Sequence, residues 1–172
     1  MGKRSAELCL LAMLLGQSAA WAEGKPVARI APSGEFLELE QQAGGRTVTQ
    51  ALPLYHNETV RYFSAGIGLE ERSAEYPAFP LKIVMTAGGK PFLAGVAVTI
   101  HPVKGGAAIT IPSEQVEGPW LFVDLAPGVY DVTATYGDHV QRLNGIKVEA
   151  RKQRVVYLRW AADHGIVHVL PE

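Results

Sequence analysis

Leu125-Ala126-Pro127-Gly128-Val129-Tyr130-Asp131-Val132-Thr133-Ala134-Thr135-Tyr136 is the stretch whose reading decides the fold. Pro127 presets its own φ and Gly128 tolerates positive φ, so the pair turns the chain tightly. Beyond the turn, Tyr130, Val132, Ala134 and Tyr136 fall on every second position, which predicts a strand over 129–136 with one buried face. Gly137-Asp138 is a two-residue hairpin signal, and a return strand follows from His139 towards Val148, with Asn144-Gly145 marking a bulge or turn. Slipping this pairing by one residue would turn every apolar side chain to solvent, so the register is strongly specified.

Working outward, the same reading predicts strands over 81–86, 92–100, 107–111, 120–125 and 155–160, with Gly88-Gly89 turning the first into the second. In the second, Phe92, Ala94, Val96, Val98 and Ile100 share a face. Short strands punctuated by turn signals argue a β-sandwich. The expected fold class is all-β: a seven-stranded antiparallel β-sandwich over residues 81–160, with Tyr130, Val132, Ala134, Val96, Val98 and Trp160 in its core. Residues 23–80 form an N-terminal extension. In it, Phe36-Leu37-Glu38-Leu39-Glu40, the Gly44-Gly45 turn and Thr47-Val48-Thr49 predict a hairpin with one wet face. Leu69 to Glu75 is the one short helix, with Glu70 and Glu71 complementing its positive end, Pro77 and Pro80 stopping it, and Leu69 expected to face inward.

Residues 1–22 read as a secretory signal peptide. Lys3 and Arg4 precede an apolar run from Leu8 to Leu15, and Ala20-Trp21-Ala22 supplies the small residues of a cleavage site after Ala22. The run is far short of the ~20 residues that a membrane-crossing helix needs. Removing residues 1–22 from the 172 leaves 150, enough for one domain with a core of its own. The leader carries a net +1, so the formal charge of −1 becomes −2, which supplies no overall basic field for nucleic acid or anionic lipid. Basic residues cluster locally at Arg151, Lys152 and Arg154, read as a solvated hairpin end. The one cysteine, Cys9, lies in the leader, so the exported chain is expected to hold no disulfide, thiol nucleophile or cysteine-bound metal, and Cys9 is misplaced for lipid anchoring. A periplasmic location follows as the expectation, and residues 161–172 are read as a C-terminal tail.

Leu125-Ala126-Pro127-Gly128-Val129-Tyr130-Asp131-Val132-Thr133-Ala134, with Gly95-Val96-Ala97-Val98-Thr99-Ile100 before it, resembles the carboxypeptidase regulatory-like domain, a transthyretin-like or prealbumin-like β-sandwich. The likeness extends upstream through Arg61-Tyr62-Phe63-Ser64-Ala65-Gly66-Ile67-Gly68-Leu69-Glu70-Glu71-Arg72 and ends at Val156-Tyr157-Leu158-Arg159-Trp160. Over that span the chain is similar to exported proteobacterial proteins built on this domain. The resemblance implies a Gram-negative periplasmic protein and brings no activity with it.

Candidate chemistry is sparse. The amides of Gly66-Ile67-Gly68 open a helix and could face an anion, but position 71 is Glu instead of Gly and the neighbouring carboxylates would repel a phosphate. His164 and His168 have metal spacing on a helix. In the extended tail expected here they stand ~13 Å apart, at ~3.3 Å per residue. His56, His101 and His139 are isolated surface residues. Lys82 with Asp124 or Asp131 holds two parts of an isopeptide crosslink, yet 155–160 lacks the asparagine, leaving Lys82 an outward side chain. No Gly-x-Ser-x-Gly signature occurs, and the chain ends Val169-Leu170-Pro171-Glu172 where transthyretin-like hydrolases carry Tyr-Arg-Gly-Ser. Trp120 and Trp160 could stack on a sugar but sit in apolar strands, where tryptophan fills core.

The sequence therefore predicts a non-enzymatic module with no catalytic residue, metal or cofactor, and a protein or other envelope component as its partner. The alternative is a ligand- or glycan-binding accessory module. The expected interaction surface lies in the 23–80 extension, at Gly66, Gly68, Glu70, Glu71 and Arg72.

Overall fold

The computed structural model describes residues 24–57, 59–88, 92–161 and 169–170. The signal peptide, part of the Gly88-Gly89 turn, and both His164 and His168 lie outside the described residues.

The chain opens with three strands, β1 (Val27–Ile30), β2 (Phe36–Ala43) and β3 (Arg46–Pro53), that form an antiparallel outer sheet in sequence order. Gly44 and Gly45, at φ +57° and +76°, make the expected hairpin turn between β2 and β3. Next come β4 (Tyr55–His56), β5 (Arg61–Ala65), a six-residue helix α1 (Gly68–Ser73), β6 (Leu81–Ala87) and β7 (Phe92–Leu93). Then follow β8 (Ala97–Pro102), β9 (Ile109–Ile111), β10 (Trp120–Val123) and β11 (Gly128–Tyr136). Finally come β12 (His139–Val148), β13 (Arg154–Trp160) and β14 (Val169–Leu170). The facing sheet has the order β12-β11-β8-β9, and the central sheet runs β14-β7-β6-β10-β5-β4 with β13 added on β6.

The molecule is mostly β, as its alternation predicts. The two sheets that share the larger core have seven and four strands, and the 23–80 segment contributes β5 to the interior of the central sheet, bonded to β10 and β4. An isolated parallel bridge ties Val27 to Glu75. Among the described strands, ladders are antiparallel except for β13, which joins β6 parallel with Arg154 opposite Leu81 and Trp160 opposite Ala87. The reason is reach. The short corner after Val148 delivers β13 beside the start of β6, where Gln153 Nε2 donates to the Phe79 carbonyl at 2.9 Å and Arg154 N to that of Pro80 at 2.7 Å. The predicted single strand over 92–100 is also two. Gly95, at φ +71°, breaks it, sending β7 to the central sheet and β8 to the facing one, and the buried positions change parity from Leu93 to Val96.

The larger core lies between the central and facing sheets and contains all six predicted residues: Tyr130 at 7% exposure, Trp160 at 2% and Val96, Val98, Val132 and Ala134 at 0–1%. The bulge is at Asn144-Gly145, as the sequence indicates: Tyr130 faces Ile146 but Val132 faces Leu143, and Asp131 Oδ1 accepts from Gly145 N at 2.7 Å. A second core lies on the opposite face of the central sheet. Leu37, Leu39 and Leu52 of the outer sheet pack there on Phe63, Phe79 and Phe122. The Phe63 and Phe122 rings stack at 4.5 Å between centroids, an arrangement worth ~1 kcal/mol beyond the area it buries. The central sheet is thus covered on both faces along β5 and β10, which explains why Leu121, Phe122 and Val123 are buried in succession.

Candidate functional site

The helix and its approach form the part of the surface the sequence singled out. β5 ends at Ala65, and Gly66 takes φ +100°, a conformation that side chains other than hydrogen rarely adopt. A Cβ there would also meet Pro119 Cγ and Trp120 Cδ2 at 3.1 Å, so the turn is pressed against β10. Gly68, at φ +80°, then opens α1.

Leu69 was expected to face inward, and the structure reverses this: Leu69 is 71% exposed and Glu71 is 2% exposed. The cause is hydrogen bonding. The turn that leads into α1 leaves the amides of Gly66 and Ile67 without a backbone partner, and the Glu71 carboxylate curls back to take them. Glu71 Oε2 accepts from Gly66 N at 2.7 Å and from Ile67 N at 3.0 Å, while Oε1 accepts from Gln50 Nε2 of β3 at 2.8 Å. Tyr76 Oη donates to the Glu71 carbonyl at 2.8 Å, and burial, reinforced by the Glu71 charge, pushes its phenol well above the usual range. The anion site at this turn is therefore filled by the chain's own carboxylate. Glu71 is withdrawn from the surface and cannot meet a partner.

The remaining predicted residues separate. Glu70 lines an open groove of about 400 Å³ together with Leu69, Ser73, Lys25, Gln41 and Gln42. Arg72 turns the other way, its guanidinium 5.1 Å from the centroid of the Phe92 ring. Gly66 and Gly68 shape the turn. Leu69, Lys25 and Gln42 were missed as surface residues because the groove joins α1 to the start of β1 and the end of β2, a contact that no local pattern encodes.

Lys82 is also corrected. Instead of pointing freely outward it is half-buried, with Nζ 3.3 Å from the centroid of the Trp120 ring and 5.1 Å from that of Phe122. Burial lowers its pKa from 10.5 to about 8. The expectation of an exposed lysine failed because the outer sheet and α1 cover this face of the central sheet. The carboxylates considered with it are engaged elsewhere: Asp124 pairs with Arg61 at 2.6 Å, and Asp131 holds the bulge. Of the two tryptophans, Trp160 is core, and Trp120 carries Lys82 over one ring face and Phe92 at its edge.

No family model matches the chain, and no curated protein matches it. Among solved structures, the Bacillus anthracis TIE protein is similar at a TM-score of 0.35 and 15% identity, over 73% of this chain and 23% of that one. The chain thus spans under a quarter of that protein's length, and a likeness this slight transfers neither fold nor function. Among the described residues, no helix is long and apolar enough to cross a membrane.

Proposed function

We propose that the chain is a non-enzymatic binding module of the bacterial periplasm that presents the α1 groove to a protein of the cell envelope. The observation that carries this reading is the contrast within α1. Glu71 anchors the helix with three hydrogen bonds, while the adjacent Leu69 stands 71% exposed beside Glu70 over the groove. A large apolar side chain held out on a fixed turn loses little freedom when a partner covers it, which favours association. The leader pattern of residues 1–22 supports the periplasmic location. Residues 81–160, which build the facing sheet and part of the central one, form a carboxypeptidase regulatory-like sandwich in this proposal. Support comes from β11, which begins at Gly128 directly after Pro127 and buries Tyr130, Val132 and Ala134 in alternation.

A photocrosslinking residue placed at position 69 in the exporting cell tests the proposal. One discrete protein adduct is expected at position 69, weakened by Glu70→Lys and absent when the probe stands at Thr133. Adducts of equal yield at both positions, or none at position 69, would refute it.

A further inference from the structure

At one end of the facing sheet, three loops distant in sequence come together. β8 ends at Pro102 beside Tyr130, and Gly128 at the start of β11 faces Val148 near the end of β12. The segments that leave these points carry Lys104, Lys147, Arg151, Lys152 and Arg154, all exposed. Hollows of about 250 and 500 Å³ lie on either side of Lys147 and Glu149. Glu149 is the acidic residue lining both, and it is spent on two lysines, Lys147 at 2.7 Å and Lys152 at 3.5 Å. Asp131 is the other carboxylate here, held to Gly145 N on the wall of the smaller hollow, so five cations against two carboxylates leave this end net positive in a chain whose formal net charge is −1. Charge is segregated, which the total does not reveal.

Two further features bear on what this end meets. Arg151 has φ +59° and is the non-glycine residue with positive φ among those described. A turn of this kind favours glycine or asparagine, so the arginine is held there at a conformational cost. Between the cations, Val103 is 54% exposed, with Pro127 and Ala150 exposed nearby. Cations surrounding small apolar side chains on one end surface suit phosphate headgroups above an acyl boundary.

We propose that this end docks peripherally on an anionic phospholipid surface, with Lys104, Lys147, Arg151, Lys152 and Arg154 facing the headgroups and Val103 at the acyl boundary. The site shares no residue with the α1 groove and stands whether or not that groove binds a protein. Each basic side chain near an anionic surface contributes about fivefold to the partition coefficient, so neutralising three lowers it about a hundredfold.

The test is flotation of the purified protein with phosphatidylcholine vesicles, with and without phosphatidylglycerol. Binding is expected only with phosphatidylglycerol and is expected to weaken steeply with salt. Arg151→Gln/Lys152→Gln/Arg154→Gln should lose about a hundredfold. Lys104→Gln/Lys152→Gln, which leaves the strained turn intact, should lose about twentyfold to thirtyfold. No flotation with phosphatidylglycerol, equal flotation with pure phosphatidylcholine, or undiminished flotation of both variants overturns the proposal. Binding to a soluble polyanion without vesicle binding overturns it too, in favour of a soluble acidic partner.

Discussion

Replacing Glu71 with alanine removes the acceptor for three donors at once: the amides of Gly66 and Ile67 and the Gln50 side chain. Gly66 N is buried and Ile67 N partly so, and water does not readily replace the carboxylate at the first. A buried donor left unsatisfied costs about 1–3 kcal/mol, and Gln50 can turn to solvent at little cost. The loss should therefore be about 3–4 kcal/mol, or roughly 10 °C in melting temperature for a chain of this size. Glu71→Gln keeps one oxygen for the two amides while giving up the charge, so about 1–2 kcal/mol is expected. Glu70→Ala, one position earlier and facing the open groove, should change stability by less than about 0.5 kcal/mol. Urea denaturation of the three variants, with the slope checked for two-state behaviour, measures these differences. If Glu71→Ala costs no more than Glu70→Ala, the carboxylate is not the anchor of α1, and the argument for a rigidly presented Leu69 collapses.

Two other expectations concern the central sheet and the larger core. Because burial lowers the folded-state pKa of Lys82 to about 8, the unfolded chain holds this proton to higher pH. Stability should therefore rise as pH climbs from about 8 towards 10.5, relative to Lys82→Met, which lacks the group. The difference should be only about 1 kcal/mol, since half the side chain is wet and the Trp120 ring face favours the cation; parallel pH profiles of the two proteins would refute it. In β11, Val132→Ala should cost about 1–3 kcal/mol and its outward neighbour Thr133→Ala under about 0.5, by thermal or urea denaturation. Equal costs would show that the strand presents the other face to the core.

Much of the strand pattern was determined by the sequence alone, because β pleating is local: alternate side chains point to alternate faces wherever the strand lies. β11, the Asn144-Gly145 bulge, the Gly44-Gly45 hairpin and all six core residues follow from that period and from backbone preferences at glycine, whereas Gly128, expected in a turn, is already the first residue of β11. What sits against each face is not local, and there the tertiary structure decided. Alternation cannot say that the outer sheet covers the second face of β5 and β10, so Lys82 read as solvent-facing when an aromatic floor lies beneath it. Parallel pairing of β13 depends on where a corner delivers the chain. At α1 the two levels conflict: apolarity alone turns Leu69 inward, yet the unpaired amides of Gly66 and Ile67 needed an acceptor, and only the fold shows that Glu71 supplies it while Gln50 of β3 closes over it. The basic end is legible only in part, since Arg151, Lys152 and Arg154 cluster in the sequence but Lys104 and Lys147 join them only when β8, β11 and β12 align.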